Sequence, residues 1–223
     1  MRDLALEIFG GPLRQVSDAI ALGPGLVVQG TRIRFKRNEE IFGEGECAEY
    51  VYRVVTGTVR TIRFSSDGRR QILGFYLPGD VFGLEAGETH SLSAEAVSDA
   101  ELALVRRSLI DAAATQYISA AQALIALMQR QLHNAHEHAM VLGRKGAGER
   151  VAAFLLQLGE RTATRQEIDL PMSRADIADY LALTIETVSR AFTQMERDHT
   201  IALPSSRHVV VRDRCALEQL EAA

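Results

Sequence analysis

Residues 172–192 read Met-Ser-Arg-Ala-Asp-Ile-Ala-Asp-Tyr-Leu-Ala-Leu-Thr-Ile-Glu-Thr-Val-Ser-Arg-Ala-Phe. The stretch holds two short helical patterns joined by a tight turn. Ser173 and Asp176 stand three apart ahead of an apolar pattern, the spacing at which a hydroxyl and a carboxylate each accept a backbone N–H at a helix start. Ile177, Ala178 and Leu181 then share one helical face. Thr184 is a good N-cap for a second helix. In that helix Val188, Phe192 and Met195 form one stripe, expected to pack on Ile177 and Leu181. Glu186, Ser189, Arg190 and Thr193 follow at i, i+3, i+4 and i+7 on another face. This is the layout of a helix-turn-helix whose second helix enters a major groove.

The residue types suit that groove. An Arg such as Arg190 donates two hydrogen bonds to guanine O6 and N7. Glu186 accepts from cytosine N4, and Ser189 serves as donor or acceptor. Ser173, Arg174, Thr184 and Thr187 lie near the helix starts, where protein groups commonly meet phosphates. A capped helical hairpin inside another all-α domain would show part of this pattern. The segment after the second helix is more specific. Residues 201–212, Ile-Ala-Leu-Pro-Ser-Ser-Arg-His-Val-Val-Val-Arg, form two β-like runs around Pro204-Ser205-Ser206. They predict a small hairpin, or wing, with Arg207 at its tip as a phosphate contact.

With 223 residues, the chain can bury a sizeable core and form two modest domains. Its formal charge of −4 excludes a coat of basic charge but not DNA binding, which depends on the docking face. Arg174, Arg190, Arg197, Arg207, Arg212 and Arg214 concentrate in the C-terminal part. No apolar run is long enough to span a bilayer, and the N-terminus lacks the apolar core of a secretion signal. There are two cysteines, Cys47 and Cys215, far apart in sequence. They are no disulfide framework, and a reducing cytoplasm is the simplest expectation.

Residues 26–105 are rich in Gly, Val, Ile, Phe and turn signals. Asp67-Gly68, between Val59–Phe64 and Gln71–Tyr76, is a strong hairpin signal. Strands at this spacing predict a small sandwich or barrel. The character changes near Ser108, where Ser108 and Asp111 can cap a helix. Residues 112–142 contain neither Pro nor Gly. Ile118, Ala121, Ile125, Met128, Leu132, Ala135, Ala139 and Leu142 recur there with alternating spacings of three and four. That is a heptad seam, and since one such helix is present its partner is expected to be the same helix of a second chain. Gly143–Gly148 reads as a hinge, followed by a short helix over Glu149–Gln157. The expected division is a β domain over 1–107, a dimerisation helix over 108–142 and a winged helix-turn-helix over 143–223, an α+β chain overall. Two heads related by a twofold axis bind half-sites about one helical turn apart, ~34 Å.

The chain resembles the Crp/Fnr family of bacterial transcription regulators. The resemblance rests on Ile41-Phe-Gly-Glu-Gly-Glu, Tyr52-Arg-Val-Val-Thr-Gly-Thr-Val-Arg, Asp67-Gly-Arg-Arg-Gln-Ile-Leu-Gly-Phe-Tyr-Leu-Pro-Gly-Asp, Leu142-Gly-Arg, Glu149-Arg-Val-Ala and the helix-turn-helix. It covers nearly the whole chain. It implies a β-roll like that of cyclic-nucleotide-binding domains. The set Glu186, Ser189 and Arg190 is similar to the Fnr branch and implies a site close to TTGAT-N4-ATCAA. Ala182 stands where the family usually has Gly, which is mild if the backbone there is not strongly left-handed.

The resemblance brings three sensor chemistries with it. Cyclic AMP binding uses a Gly-Glu pair and an Arg-Ser pair; here Leu84 follows Gly83, and Leu92-Ser93-Ala94 lacks the Arg that grips phosphate. An iron–sulfur cluster needs about four thiolates, and two are present. Haem, as in nitric oxide or carbon monoxide sensors, is left with His90 as a lone candidate ligand, which otherwise reads as a loop histidine. His133, His136 and His138 read as a solvated helix face rather than a metal site. What remains is similar to the FixK-type regulators, which implies activation of genes for microaerobic respiration and nitrogen fixation by a homodimer without a cofactor. Contact with RNA polymerase is expected through exposed loops around Arg69-Arg70 and Thr89. Of the two thiols, Cys215, beside Arg212 and Arg214, is the better candidate for oxidation. A haem- or small-molecule-responsive regulator is the competing expectation. An enzyme is disfavoured, since the β region offers a single histidine for any metal site.

Overall fold

The computed structural model describes residues 19–21, 27–161 and 166–222. The N-terminus, expected to lack the apolar core of a secretion signal, lies outside them. The chain divides into two compact units. One takes the chain up to Phe64 and again Leu73–His133; the other takes Ser65–Ile72 and the chain from Asn134 onward.

Short strands build the first unit, although residues 70–72, which open one of them, belong to the second. In chain order they are β1 (Ala19–Ala21), β2 (Val27–Gln29), β3 (Thr31–Phe35), β4 (Glu40–Phe42), β5 (Tyr50–Thr56), β6 (Val59–Phe64), β7 (Arg70–Tyr76), β8 (Val81–Phe82), β9 (Ser93–Ala96) and β10 (Ala100–Arg106). They form two four-stranded sheets, β3-β10-β5-β8 and β4-β9-β6-β7, beside a small β1-β2 pair. These are the small sandwich that the turn spacing predicts and the β-roll that the resemblance implies. The Asp67-Gly68 signal closes the β6–β7 hairpin, with the Gly68 N–H donating to the Ser65 carbonyl at 2.8 Å. Gly68 takes φ 80°, a conformation in which a side chain would be strained. Alternating residues point inward, so Val54, Val59, Ile62, Phe82, Ala94 and Leu102 are fully buried.

Two helices follow, α1 (Arg107–Gln116) and α2 (Ile118–Arg144). The sequence pattern runs them together, but the backbone breaks at Tyr117, which is extended. Tyr117 packs with Leu109 and Leu124 against a core of Val51, Val105 and Ile110, and this burial outweighs local helix preference. The predicted Ser108 cap is not used; the cap position is Arg106, two residues earlier, with no side-chain cap there. At 27 residues α2 is about 40 Å long. It runs through Gly143, so the predicted hinge over Gly143–Gly148 narrows to Lys145 and Gly146. No helix among the described residues is long and apolar enough to cross a membrane.

The rest of the second unit is α3 (Ala147–Glu160), β11 (Glu167–Asp169), α4 (Arg174–Leu181), α5 (Ile185–Arg197), β12 (Ile201–Ser205), β13 (His208–Val211) and α6 (Arg214–Ala222). The three strands form a sheet in the order β11-β13-β12. The predicted wing is therefore present as β12 and β13, with a register irregularity between Ala202 and Ser205, where Pro204 has no N–H to give. α3 opens with the Gly146 N–H donating to the Glu149 carboxylate at 2.9 Å. Its inner face, Val151, Ala152, Leu155 and Leu158, is buried.

Candidate nucleic-acid interface

Both caps of the helix-turn-helix form as their spacing dictates. The Asp176 N–H donates to Ser173 Oγ at 3.1 Å, and the Ser173 N–H donates back to Asp176 Oδ2 at 3.0 Å. The Ser173 hydroxyl also donates to that carboxylate. Thr184 is extended and accepts from the Thr187 N–H at 3.2 Å, starting α5. The Thr184 and Thr187 hydroxyls lie 3.0 Å apart and share a hydrogen bond.

Burial then divides α5 into two sides. Val188, Phe192 and Met195 are buried with Ile177 and Leu181 of α4. Glu186, Ser189, Arg190 and Thr193 are exposed. Glu186 is held below the usual carboxylate range, first by a backbone N–H in its own first turn, then by the Thr184 side chain, with Arg190 adding to both. A charged acceptor and a five-donor guanidinium thus stand one turn apart on a rigid, solvent-facing surface. That combination can read two adjacent base edges.

Arg174 has a different setting from the other residues expected near phosphate. Its guanidinium carbon lies 3.3 Å from the centre of the Phe192 ring. Burial lowers its pKa to about 10, and Nη1 is buried without a hydrogen bond. Stacking on Phe192 couples the start of α4 to the middle of α5. In the wing, Arg207 is exposed in the turn between β12 and β13. Its backbone is pinned, because its carbonyl accepts from the Leu170 N–H at 2.8 Å.

Family models match both parts of the chain: a Crp-like helix-turn-helix domain over residues 149–220 and a cyclic nucleotide-binding domain over residues 32–117. Nitrogen fixation regulation protein FixK of Azorhizobium caulinodans is 52% identical over 86% of this chain and 79% of that protein. FixK of Rhizobium meliloti is 42% identical over 89% of this chain and 88% of that protein. The solved structure of FixK2 from Bradyrhizobium japonicum superposes with a TM-score of 0.85 at 48% identity, covering 88% of this chain and 99% of that one. The chain belongs to the Crp/Fnr family and is of the FixK type. It is a DNA-binding transcription regulator and not an enzyme.

Several features of this Crp/Fnr regulator depart from the sequence expectation. Ala182 ends α4 at φ 52°, ψ 48°, a fully left-handed residue, so the Gly-to-Ala difference is not mild. An L-residue there costs about 1 kcal/mol. Arg70, expected in a loop open to polymerase, is engaged within the second unit. It donates to Asp176 Oδ1 and Asp179 Oδ2, each at 2.8 Å, because those carboxylates occupy one side of α4. Arg69 pairs instead with Asp67 at 2.7 Å, and Thr89 is an exposed residue bridged to Cys47.

Along α2, Ile118, Ile125, Met128 and Leu132 are 48–80% exposed. Ala135 and Ala139 are exposed as well, while Ala121 and Leu142 are half-buried. Met140 adds to the exposed apolar surface beside the seam. Cys215 is exposed in the first turn of α6, and Cys47 is exposed also.

His90 is not a loop histidine in contact with water; 2% of it is accessible. Its ring stacks on Phe42 at 3.6 Å, and Nδ1 lies 3.4 Å from Glu85. Phe42, Tyr52, Tyr76 and Phe82 form a continuous aromatic core beside it. Burial pushes the Tyr52 hydroxyl up to about 12. A Cβ at Gly83 would come within 2.8 Å of the Tyr52 ring, so this aromatic packing also fixes the Gly83-Leu84 step. His138 likewise differs from the expected solvated face. It stacks on Tyr180 of α4 at 4.0 Å, with Phe154 edge-on to the same tyrosine. His133 and His136 are exposed.

Proposed function

We propose that this chain acts as a homodimer on a twofold site close to TTGAT-N4-ATCAA. Glu186, Ser189 and Arg190 read the bases; Ser173, Arg174, Thr184, Thr187 and Arg207 contact phosphate. The observation that carries this is the exposed row on α5, backed by the buried stripe Val188–Phe192–Met195. The second subunit covers the seam Ile118, Ala121, Ile125, Met128, Leu132, Ala135, Ala139 and Leu142. Four large apolar side chains facing water on one helix support it.

The regulator works in the cytoplasm without nucleotide, haem or cluster. In support, Leu84 and Leu92 replace the polar groups a cyclic nucleotide needs, and the aromatic core with His90 occupies the interior of the β-roll. It recruits RNA polymerase through exposed loops of the β-roll, with Thr89 and Arg69 available and Arg70 engaged elsewhere. Relatives named for nitrogen fixation regulation support microaerobic respiration and nitrogen-fixation genes as targets.

A gel shift with purified protein and no added ligand tests this. The expected result is a shifted palindrome and a weak response to a Crp-type site. Binding that appears only after adding haem or a nucleotide would overturn the cofactor-free reading.

A further inference from the structure

Lys145 and Gly146 are the whole interruption between α2 and α3. Helix ends leave carbonyls without partners along the chain, and here one of them is taken by a side chain. Arg150, half-buried in the first turn of α3, donates from Nε to the Lys145 carbonyl at 2.8 Å. The same guanidinium donates from Nη1 to the Leu181 carbonyl at 3.0 Å. Leu181 is the last residue of α4. Its carbonyl precedes the left-handed turn at Ala182, and Thr184 opens α5 three residues later. One planar fork therefore ties the end of the seam helix to the turn that launches the reading helix. A planar fork fixes an angle as well as a distance, which an ammonium cannot do. Two further contacts brace the same joint: the His138–Tyr180 stack, and the Lys145 ammonium on the Glu221 carboxylate of α6.

We propose that Arg150 is a positioning residue that sets the spacing between half-sites. The proposal rests on the homodimer and palindrome reading. In a twofold dimer, the offset between the two α5 helices depends on how each head is fixed to its own α2. Each added base pair shifts the second half-site by ~3.4 Å and rotates it by ~35°. A stiff joint accepts one spacing; a slack joint accepts several.

The test uses the full chain and three duplexes that share both half-sites but carry spacers of three, four or five base pairs. Binding is followed by fluorescence anisotropy. The parent is expected to prefer the four-base spacer by about tenfold, within what one hydrogen bond from a charged group supplies. Arg150→Ala and Arg150→Lys should narrow that ratio to about threefold. Both should keep the parent's preference for an intact over a scrambled half-site, which a general loss of structure would not preserve. If Arg150→Ala fails to give a cooperative melt, Arg150→Lys carries the test. A variant with the parent's spacer ratio overturns the role of Arg150 alone. A parent that binds none of the three duplexes overturns the palindrome reading as well.

Discussion

The two helices α2 and α5 solve the same problem in opposite ways. α5 turns its apolar stripe inward against α4 and shows polar groups to water. α2 packs Ala120 and Leu124 inward but leaves Ile118, Ile125, Met128 and Leu132 outside. The outer face of α5 is complete in one chain and lacks only a polar ligand. The outer face of α2 is incomplete in one chain, because exposed apolar area carries a free-energy cost that a matching surface removes. The outer face of α5 suits DNA, and on the proposed reading the outer face of α2 is covered by a second copy of itself.

The strongest way to break this comparison is to make α2 resemble α5. Replacing both Ile125 and Leu132 with Glu puts four charges into a twofold interface and removes four large apolar side chains. Each such side chain is worth about 1.5–3 kcal/mol when buried. Dimerisation should weaken at least ~1,000-fold, read by sedimentation velocity, while the far-ultraviolet circular dichroism of the monomer keeps the parent's helix content. A dimer that survives both substitutions would show that the seam is covered by something else.

The next effect falls on α5. Arg190→Ala should cost about 1–3 kcal/mol per half-site and relax discrimination at the guanine. Arg207→Ala should weaken all sequences alike and flatten the salt dependence, as loss of a phosphate contact does. Equal affinity of the Arg190→Ala variant and the parent for the palindrome would remove Arg190 from the readout.

A smaller effect marks the place where α2 stops facing outward. His138, one turn before the end of the seam, lies against Tyr180. Burial lowers its pKa from the ordinary 6.5, and a backbone hydrogen bond at Tyr180 only partly opposes the shift. The folded state thus binds fewer protons at His138 than the unfolded state just below that value. Its contribution to stability is present above about pH 6.5 and is lost as the pH falls through the lower folded value. His138→Gln should flatten the dependence of melting temperature on pH as the pH falls below about 6.5, relative to the parent. Parallel curves would mean that the stack does not hold the neutral imidazole.

What the sequence disclosed about these helices was local. The caps at Ser173 and Thr184 are written in residues three apart, and the seam is written in a repeat of seven. The partners of Arg150 and Arg70 are not, because each reaches across a turn or strand to an atom far away in the chain. β11 escaped for the same reason: three residues become a strand only by pairing with β13. Two local signals also misled. Gly143 suggested a hinge, yet it remains helical in open space, where glycine costs about 1 kcal/mol without breaking the helix. The absence of Pro and Gly suggested one helix over 108–142, yet burial of Tyr117 splits it.

The smallest prediction concerns the turn that both helices depend on. Ala182 holds φ 52° between α4 and α5, and the Leu183 N–H donates back to the Ala178 carbonyl at 3.0 Å. Glycine would adopt that backbone without the clash of Cβ, although it adds freedom to the unfolded chain. The relief exceeds the entropic loss, so Ala182→Gly should stabilise the head by roughly 0.5–1 kcal/mol, measured by denaturant unfolding. Affinity for the palindrome should stay within about twofold, because the Thr184 cap and the Arg150 fork already fix where α5 begins. If the variant were instead less stable, flexibility in the unfolded chain would dominate, and the left-handed turn would be cheaper for alanine than its dihedral angles imply.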